Sequence, residues 1–280
     1  MANKHASLDA LFADIADAIR EKTGDTETIP AVEFPNMIRE RLELASLPIS
    51  YLTFSSPNSF TLKVNDTTKH WDGTLEYSTN TSTWSTWDGT TTLSSATNGS
   101  DNVLYLRGTG NTVITGSTSD YKWVLTGTDV SCIGNIENLL DYATVESGAH
   151  PTMTNHCYSC MFYGCTALTQ APALPATTLA NNCYMHMFRN CTSLTQIPAL
   201  PATKLANNCY QSMFFGCTSL KLSSTQTGEY TIAYRIPTTG TGTTATDALT
   251  DMFTNTGGTF TGAPVINTTY YLSNTNTVVG

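Results

Sequence analysis

Three nearly identical phrases follow one another in this chain: HCYSCMFYGCTALTQAPALPATTLAN, NCYMHMFRNCTSLTQIPALPATKLAN and NCYQSMFFGCTSL, with every landmark recurring 26 residues on. A fixed period of this length denotes one supersecondary unit that cannot bury its apolar face alone and buries it by stacking on its own copies. Laid over one another, the copies give ladders: Cys157, Cys183 and Cys209; Tyr158, Tyr184 and Tyr210; Met161, Met187 and Met213; Phe162, Phe188 and Phe214; Cys165, Cys191 and Cys217. These ladders are the expected core. The C-Y-x-x-M-F segment carries apolar residues at i, i+1, i+4 and i+5, which predicts a short helical turn with one buried face. The C-T-S-L-T-x-x-P stretch places threonines ahead of a proline and predicts an extended segment.

The pattern C-T-S-L-T-x-x-P-x-L-P-x-x-x-L-x-x-x-C-Y-x-x-M-F-x-x-C resembles the BspA-like (Treponema pallidum type) leucine-rich repeats of bacterial surface proteins and gut phages. That resemblance implies a non-enzymatic, adhesin-like module, whereas the period by itself implies only stacked repeats. Ahead of the repeats, VSCIGNIENLLDYA offers Ile133, Ile136, Leu139 and Leu140 for a capping coil. After them, Ala248-Leu249 and Met252-Phe253 echo the repeat 39 residues on instead of 26, so a Gly/Thr-rich, loop-like insertion is expected between. APVINTTYYLSNTNTVVG alternates enough for one or two terminal strands.

The first fifty residues differ in kind, holding 9 acidic and 5 basic side chains. Leu8, Leu11, Phe12, Ile15 and Ile19 fall at helical spacing, and Met37 and Ile38 on one side of a second short helix. The stretch IADAIREKTGDTETIPAVEFPNMIRE resembles an N-terminal segment of phage structural and tail-associated proteins, which implies a virion anchor. Between residues 50 and 128, short alternating runs such as FTLKV, TLEYST, NVLYLRG and YKWVLTG are separated by turn signals at Asp72-Gly73, Asp88-Gly89 and Asn98-Gly99. Their spacing predicts a β-sandwich. The strand-turn-strand wording LEYSTNTSTWSTWDGTTTL also resembles segments that precede repeats of this type.

The expected fold class is therefore multidomain and α+β: a helical anchor over 1–46, a β-sandwich over 47–125 and a leucine-rich-repeat solenoid with caps over 126–280. The net charge of −9 lacks the basic footprint that nucleic acid requires. No apolar run of membrane-spanning length occurs and the N-terminus is unlike a signal peptide, so no membrane insertion is expected. Seven of the eight cysteines lie between Cys157 and Cys217, six on the repeat lattice, which predicts reduced, buried ladder thiols.

Catalytic patterns are weak. None of the five histidines sits in a nucleophile elbow. Cys157-Tyr-Ser-Cys160 is a lone C-x-x-C without the second pair that zinc needs. No acidic residue stands between Glu146 and Lys221, so the array cannot supply the facing carboxylates of a glycosidase. The expectation is no enzyme, no metal and no cofactor.

Positions that vary between copies are expected to face outward. They single out Tyr163, Arg189 and Phe215 as a column of large side chains, with Met185, Gln211 and His186 beside it, as candidates for receptor binding. Trp84 and Trp87, three apart beside a turn, face opposite ways in a strand, so only one can be core; the other could carry a sugar ring. The function these resemblances imply is a phage virion fibre or appendage, head or tail. It would be made in the host cytoplasm, dock on virion proteins through its N-terminus as a homotrimer, and display its repeats to a host-surface glycan or protein. The alternative is a bacterial or prophage-encoded cell-surface adhesin.

Overall fold

The computed structural model describes residues 51–236, 245–266 and 268–279. The helical anchor expected over 1–46, with Leu8, Leu11, Phe12, Ile15, Ile19, Met37 and Ile38, lies outside the described residues. Alternating apolar and polar side chains make strands at β1 (Leu52–Ser56), β2 (Thr61–Val64) and β3 (Thr74–Ser78), where Leu52, Phe54, Leu62 and Leu75 turn inward. β4 (Ser85–Thr86), β5 (Leu93–Ser94), β6 (Ala96–Asn98), β7 (Asp101–Thr109), β8 (Trp123–Thr126) and β9 (Val130–Ile133) follow. Then come α1 (Asn138–Glu146), β10 (Leu168–Gln170), β11 (Gln196–Pro198), β12 (Leu222–Ser223), β13 (Tyr230–Arg235), β14 (Thr269–Ser273) and β15 (Thr277–Val279).

One nine-stranded sheet runs in the order β15-β11-β10-β9-β1-β7-β3-β4, with β6 also on β7. Its β9-β10-β11-β15 end is parallel and the remainder antiparallel. The early strands and the repeats thus share a sheet, joined where β1 pairs β9. They share a core as well: Trp71, Trp87 and Trp123 pack ring to ring, and Trp123 and Phe54 each meet Phe162, the first ring of the repeat ladder.

The expected α+β class, with helical turns in a leucine-rich-repeat solenoid, is overturned. The described residues are mostly β, and α1 is their one α-helix. The reason lies in the backbone of the C-Y-x-x-M-F segments. Every fourth residue there is left-handed: His156, Cys160 and Gly164; Asn182, His186 and Asn190; Asn208, Ser212 and Gly216; Asp247, Asp251 and Asn255. A helix of L-residues does not tolerate that conformation. Overlapping turns form instead, with Ser159, Met161, Tyr163 and Cys165 each donating an amide bond three residues back. The alternate N–H groups of Tyr158, Cys160, Phe162 and Gly164 donate to Cys183, Met185, Met187 and Arg189 of the next copy, at 2.8–2.9 Å. A helix spends its N–H groups on itself, whereas this ribbon keeps half of them to tie coil to coil. Apolar spacing of i, i+1, i+4, i+5 suits both conformations, so the sequence pattern alone did not separate them.

The copies stack. Phe162, Phe188, Phe214 and Phe253 form a continuous ring ladder with 5.6 Å between successive centres. Tyr158, Tyr184 and Tyr210 stand 5.6 and 5.9 Å apart. Coils bonded through their amides lie about 4.8 Å apart, so the rings are slipped sideways into the offset stack that aromatic quadrupoles favour. Met161, Met187, Met213 and Met252 are all fully buried.

The fourth coil joins through Tyr210 to Ala248 and Phe214 to Met252. The insertion before it is not only loop: TIAYR lies in β13, paired with β14. β14 and β15 are the two terminal strands. β15 takes the place beside β11 that the third copy vacates when its chain turns off into β12. Buried Asn276 fixes that exchange, donating to the carbonyls of Thr195 and Ser219 and accepting from the Lys221 amide.

Candidate functional site

Successive coils present the third residue after each left-handed Cys160, His186 or Ser212 along one line, and this builds the column expected from the sequence. Tyr163, Arg189 and Phe215 are each half-buried. The Arg189 guanidinium stands 3.9 Å from the Phe215 ring centre and 5.9 Å from that of Tyr163. Lys122, from the coil before the repeats, adds a second cation 5.1 Å from the Tyr163 ring centre. Cation over ring is worth about 0.5–1 kcal/mol at exposed sites and more when desolvated. The column is thus two cations interleaved with two rings. Lys122 escaped the sequence reading because its segment, although stacked on the first copy through the Trp123 to Met161 amide bond, does not keep the 26-residue wording.

Met185, Gln211 and His186 flank the column, half-buried. Burial, aided by the Arg189 charge, lowers the pKa of His186, so its ring is neutral near pH 7. Its Nδ1 is 3.8 Å from the Cys160 sulfur, and burial raises the pKa of that thiol. A thiol so held is protonated and a poor nucleophile. The rule that variable positions face outward fails at Ser159, Cys160 and Ser212, which are buried. Thr115 of the preceding coil covers the first of them, donating to the Ser159 carbonyl at 2.7 Å.

Of the two tryptophans, Trp87 does not reach the surface. It is 1% exposed, its indole N–H donates to the Thr91 carbonyl, and it packs against Trp71 and Trp123. Trp84 is half-buried, as the opposite-faces argument requires, but the Arg107 guanidinium lies 4.1 Å from its ring centre. Tyr142 also faces that guanidinium, at 4.7 Å, and Glu76 accepts from its Nε at 2.7 Å. The ring of Trp84 is therefore engaged internally.

No family model, no curated protein and no solved structure matches this chain. Its candidate sites rest on their own chemistry.

A second concavity, of about 340 Å³, lies between the segments around Met153 and Leu179, with Glu137 and His150 in its lining. Burial raises the pKa of the Glu137 carboxyl, opposed by a 2.8 Å bond from His150. That carboxylate already has its partner. The Nε of Arg189 is buried without a hydrogen-bond acceptor among the described residues. Among the described residues no three His, Cys, Asp or Glu side chains converge as metal ligands do. All eight cysteines are unpaired and buried. Cys191 and Cys217 donate S–H bonds at 3.0 Å to the carbonyls of Phe162 and Phe188, one coil back.

Proposed function

We propose that the protein is a binding appendage, a phage virion fibre whose stacked coils carry the column Lys122–Tyr163–Arg189–Phe215 against a host surface. The observation that supports this most is the column itself. Four side chains from four successive coils align on one line, and the Nε of the cation between the rings is buried with no acceptor among the described residues. A rigid stack that repeats its backbone bonds from coil to coil positions such side chains without reorganisation on binding, which lowers the cost of association. The virion reading rests on the likeness of IADAIREKTGDTETIPAVEFPNMIRE to phage attachment segments, and trimerisation on the same analogy. Antibody against this chain, applied to purified particles in negative stain, should decorate an appendage. Decoration of bacterial cell envelopes with bare particles would instead establish the cell-surface adhesin. Light scattering should give a trimer that is lost on deletion of residues 1–46.

A further inference from the structure

We infer that the column takes an acidic saccharide, with carboxylate or sulfate groups meeting Arg189 and Lys122. The inference rests on the surface-binding reading above and names the ligand class for that same line of residues.

The molecule contains its own comparison. Arg107 and Arg189 are both half-buried cations set among aromatic rings. Arg107 lies against Tyr51, Trp84 and Tyr142 and is answered by Glu76 at 2.7 Å. Arg189 lies between Tyr163 and Phe215 and forms no ion pair among the described residues. Its Nε is shut away from any acceptor, so the guanidinium depends on its remaining N–H groups for compensation. Lys122, on the same ring, forms no ion pair among the described residues either. The chain as a whole carries −9, yet it places no acidic residue between Glu146 and Glu229. Arg189 on that acid-free stretch, and Lys122 ahead of it, form an opening for an external anion, and guanidinium groups favour planar or tetrahedral oxyanions that accept two N–H bonds.

Why a saccharide and not a protein follows from the rest of the surface. Among the described residues the large apolar side chains left exposed are Ile133 and Val265. Neither lies in the repeat column, whose own rings, Tyr163 and Phe215, are half-buried and faced by cations, so the column offers aromatic faces and positive charge without an exposed aliphatic centre. The column is bordered instead by the amide groups of Gln211 and Asn190. These suit a polyol. Lys122 and Arg189 flank one ring, two coils apart, so a chain bearing successive anionic groups engages both.

The full-length protein, immobilised, should bind dextran sulfate and polygalacturonate and should not bind neutral dextran, with binding that weakens as salt rises. Binding to only one of the two anionic polymers identifies sulfate or carboxylate as the group and supports the inference equally. The double variant K122Q/R189Q should lose roughly tenfold in apparent affinity, while K204Q, the same charge change on exposed Lys204, should retain it. R189K, which keeps the charge without the fork, should fall in between. If the double variant does not fold, R189K against K204Q decides alone. Binding to neither anionic polymer, equal binding to dextran, or equal losses in K204Q and the column variants would overturn the inference. In a whole-cell assay, host cells that bind wild type and K122Q/R189Q alike would remove the acidic saccharide and leave surface binding standing. Host cells that never bind wild type would remove the surface-binding reading itself.

Discussion

Around Trp71, Trp87 and Trp123 each buried ring meets a differently tilted neighbour, at 34° in one pair and 73° in the other. From Phe162 to Phe253 each ring meets a copy of itself, within 5–10° of parallel. The first region is packed as an irregular jigsaw, the second as a lattice in which one solution is used four times. In the jigsaw a change is felt by its own neighbours. In the lattice it is felt by the coils above and below, because each coil is completed by the next. The lattice also concentrates one chemistry, since a thiol that suits one coil is repeated in the next two and gives way only in the fourth, at Ala248 and Thr256.

The largest expected effect exploits that repetition. Burial pushes the thiols of Cys165, Cys209 and Cys217 up to about 12 from an ordinary 9.0. Between about pH 9 and 12 the unfolded chain therefore loses protons that the folded chain keeps. Stability is full below that window and falls as pH rises, by roughly 1.4 kcal/mol per pH unit for each thiol. The buried hydroxyls of Tyr158, Tyr184 and Tyr210, raised for the same reason, act in the same direction. Unfolding free energies from urea titrations followed by circular dichroism should drop by several kcal/mol in total from about pH 8 to about pH 11. A flat profile would show that the ladder thiols are reached by water. Phe188→Ala comes next, at about 3–5 kcal/mol, because Phe188 stacks on two rings. A loss below about 1 kcal/mol would break the picture of coils sharing one core.

The lattice was the more legible region in advance. Its ladders, its 39-residue slip and its outward column were all readable as spacing, because like residues at a fixed period must meet if the coils stack. What could not be read was the backbone. Asn, His, Ser, Asp and Gly fill every fourth position except Cys160, most of them residues that accept left-handed φ, and that signal sat in the repeats beside an apolar pattern that fits a helix equally well. The ladders could not show that β15 would replace the third copy's strand, since that depends on Asn276 bridging segments more than fifty residues apart. In the jigsaw region the turns and strand edges were legible, but which tryptophan would be core was not. Nor was the close approach of β7 to α1.

That approach tests the seam between strands and helix. A Cβ on Gly108 would come within 1.7 Å of the Leu139 carbonyl oxygen, while Asn111 donates to that same oxygen at 2.9 Å. Both obstacles are backbone-anchored, so neither can swing aside. Gly108→Ala should therefore cost about 1–3 kcal/mol by overpacking, read as a shift in urea midpoint. A neutral result would mean that α1 can move away from β7.

The smallest prediction separates the two regions by sign. At φ +53° Asn208 uses a conformation that asparagine tolerates, and its side chain donates to Asn182 of the coil before at 2.9 Å. Thr67, in the strand region, is exposed and holds φ +59° with a β-branched side chain, which that conformation penalises. The lattice has tuned its left-handed positions and the irregular region has not. Asn208→Ala should thus lose about 1–2 kcal/mol, from the amide bond and from the strain of a Cβ with no local hydrogen bond. Thr67→Asn should gain about 0.5–1 kcal/mol from relief of strain alone. Opposite shifts in thermal midpoint are expected, and a loss at both positions would mean that Thr67 is held by contacts that outweigh its backbone cost.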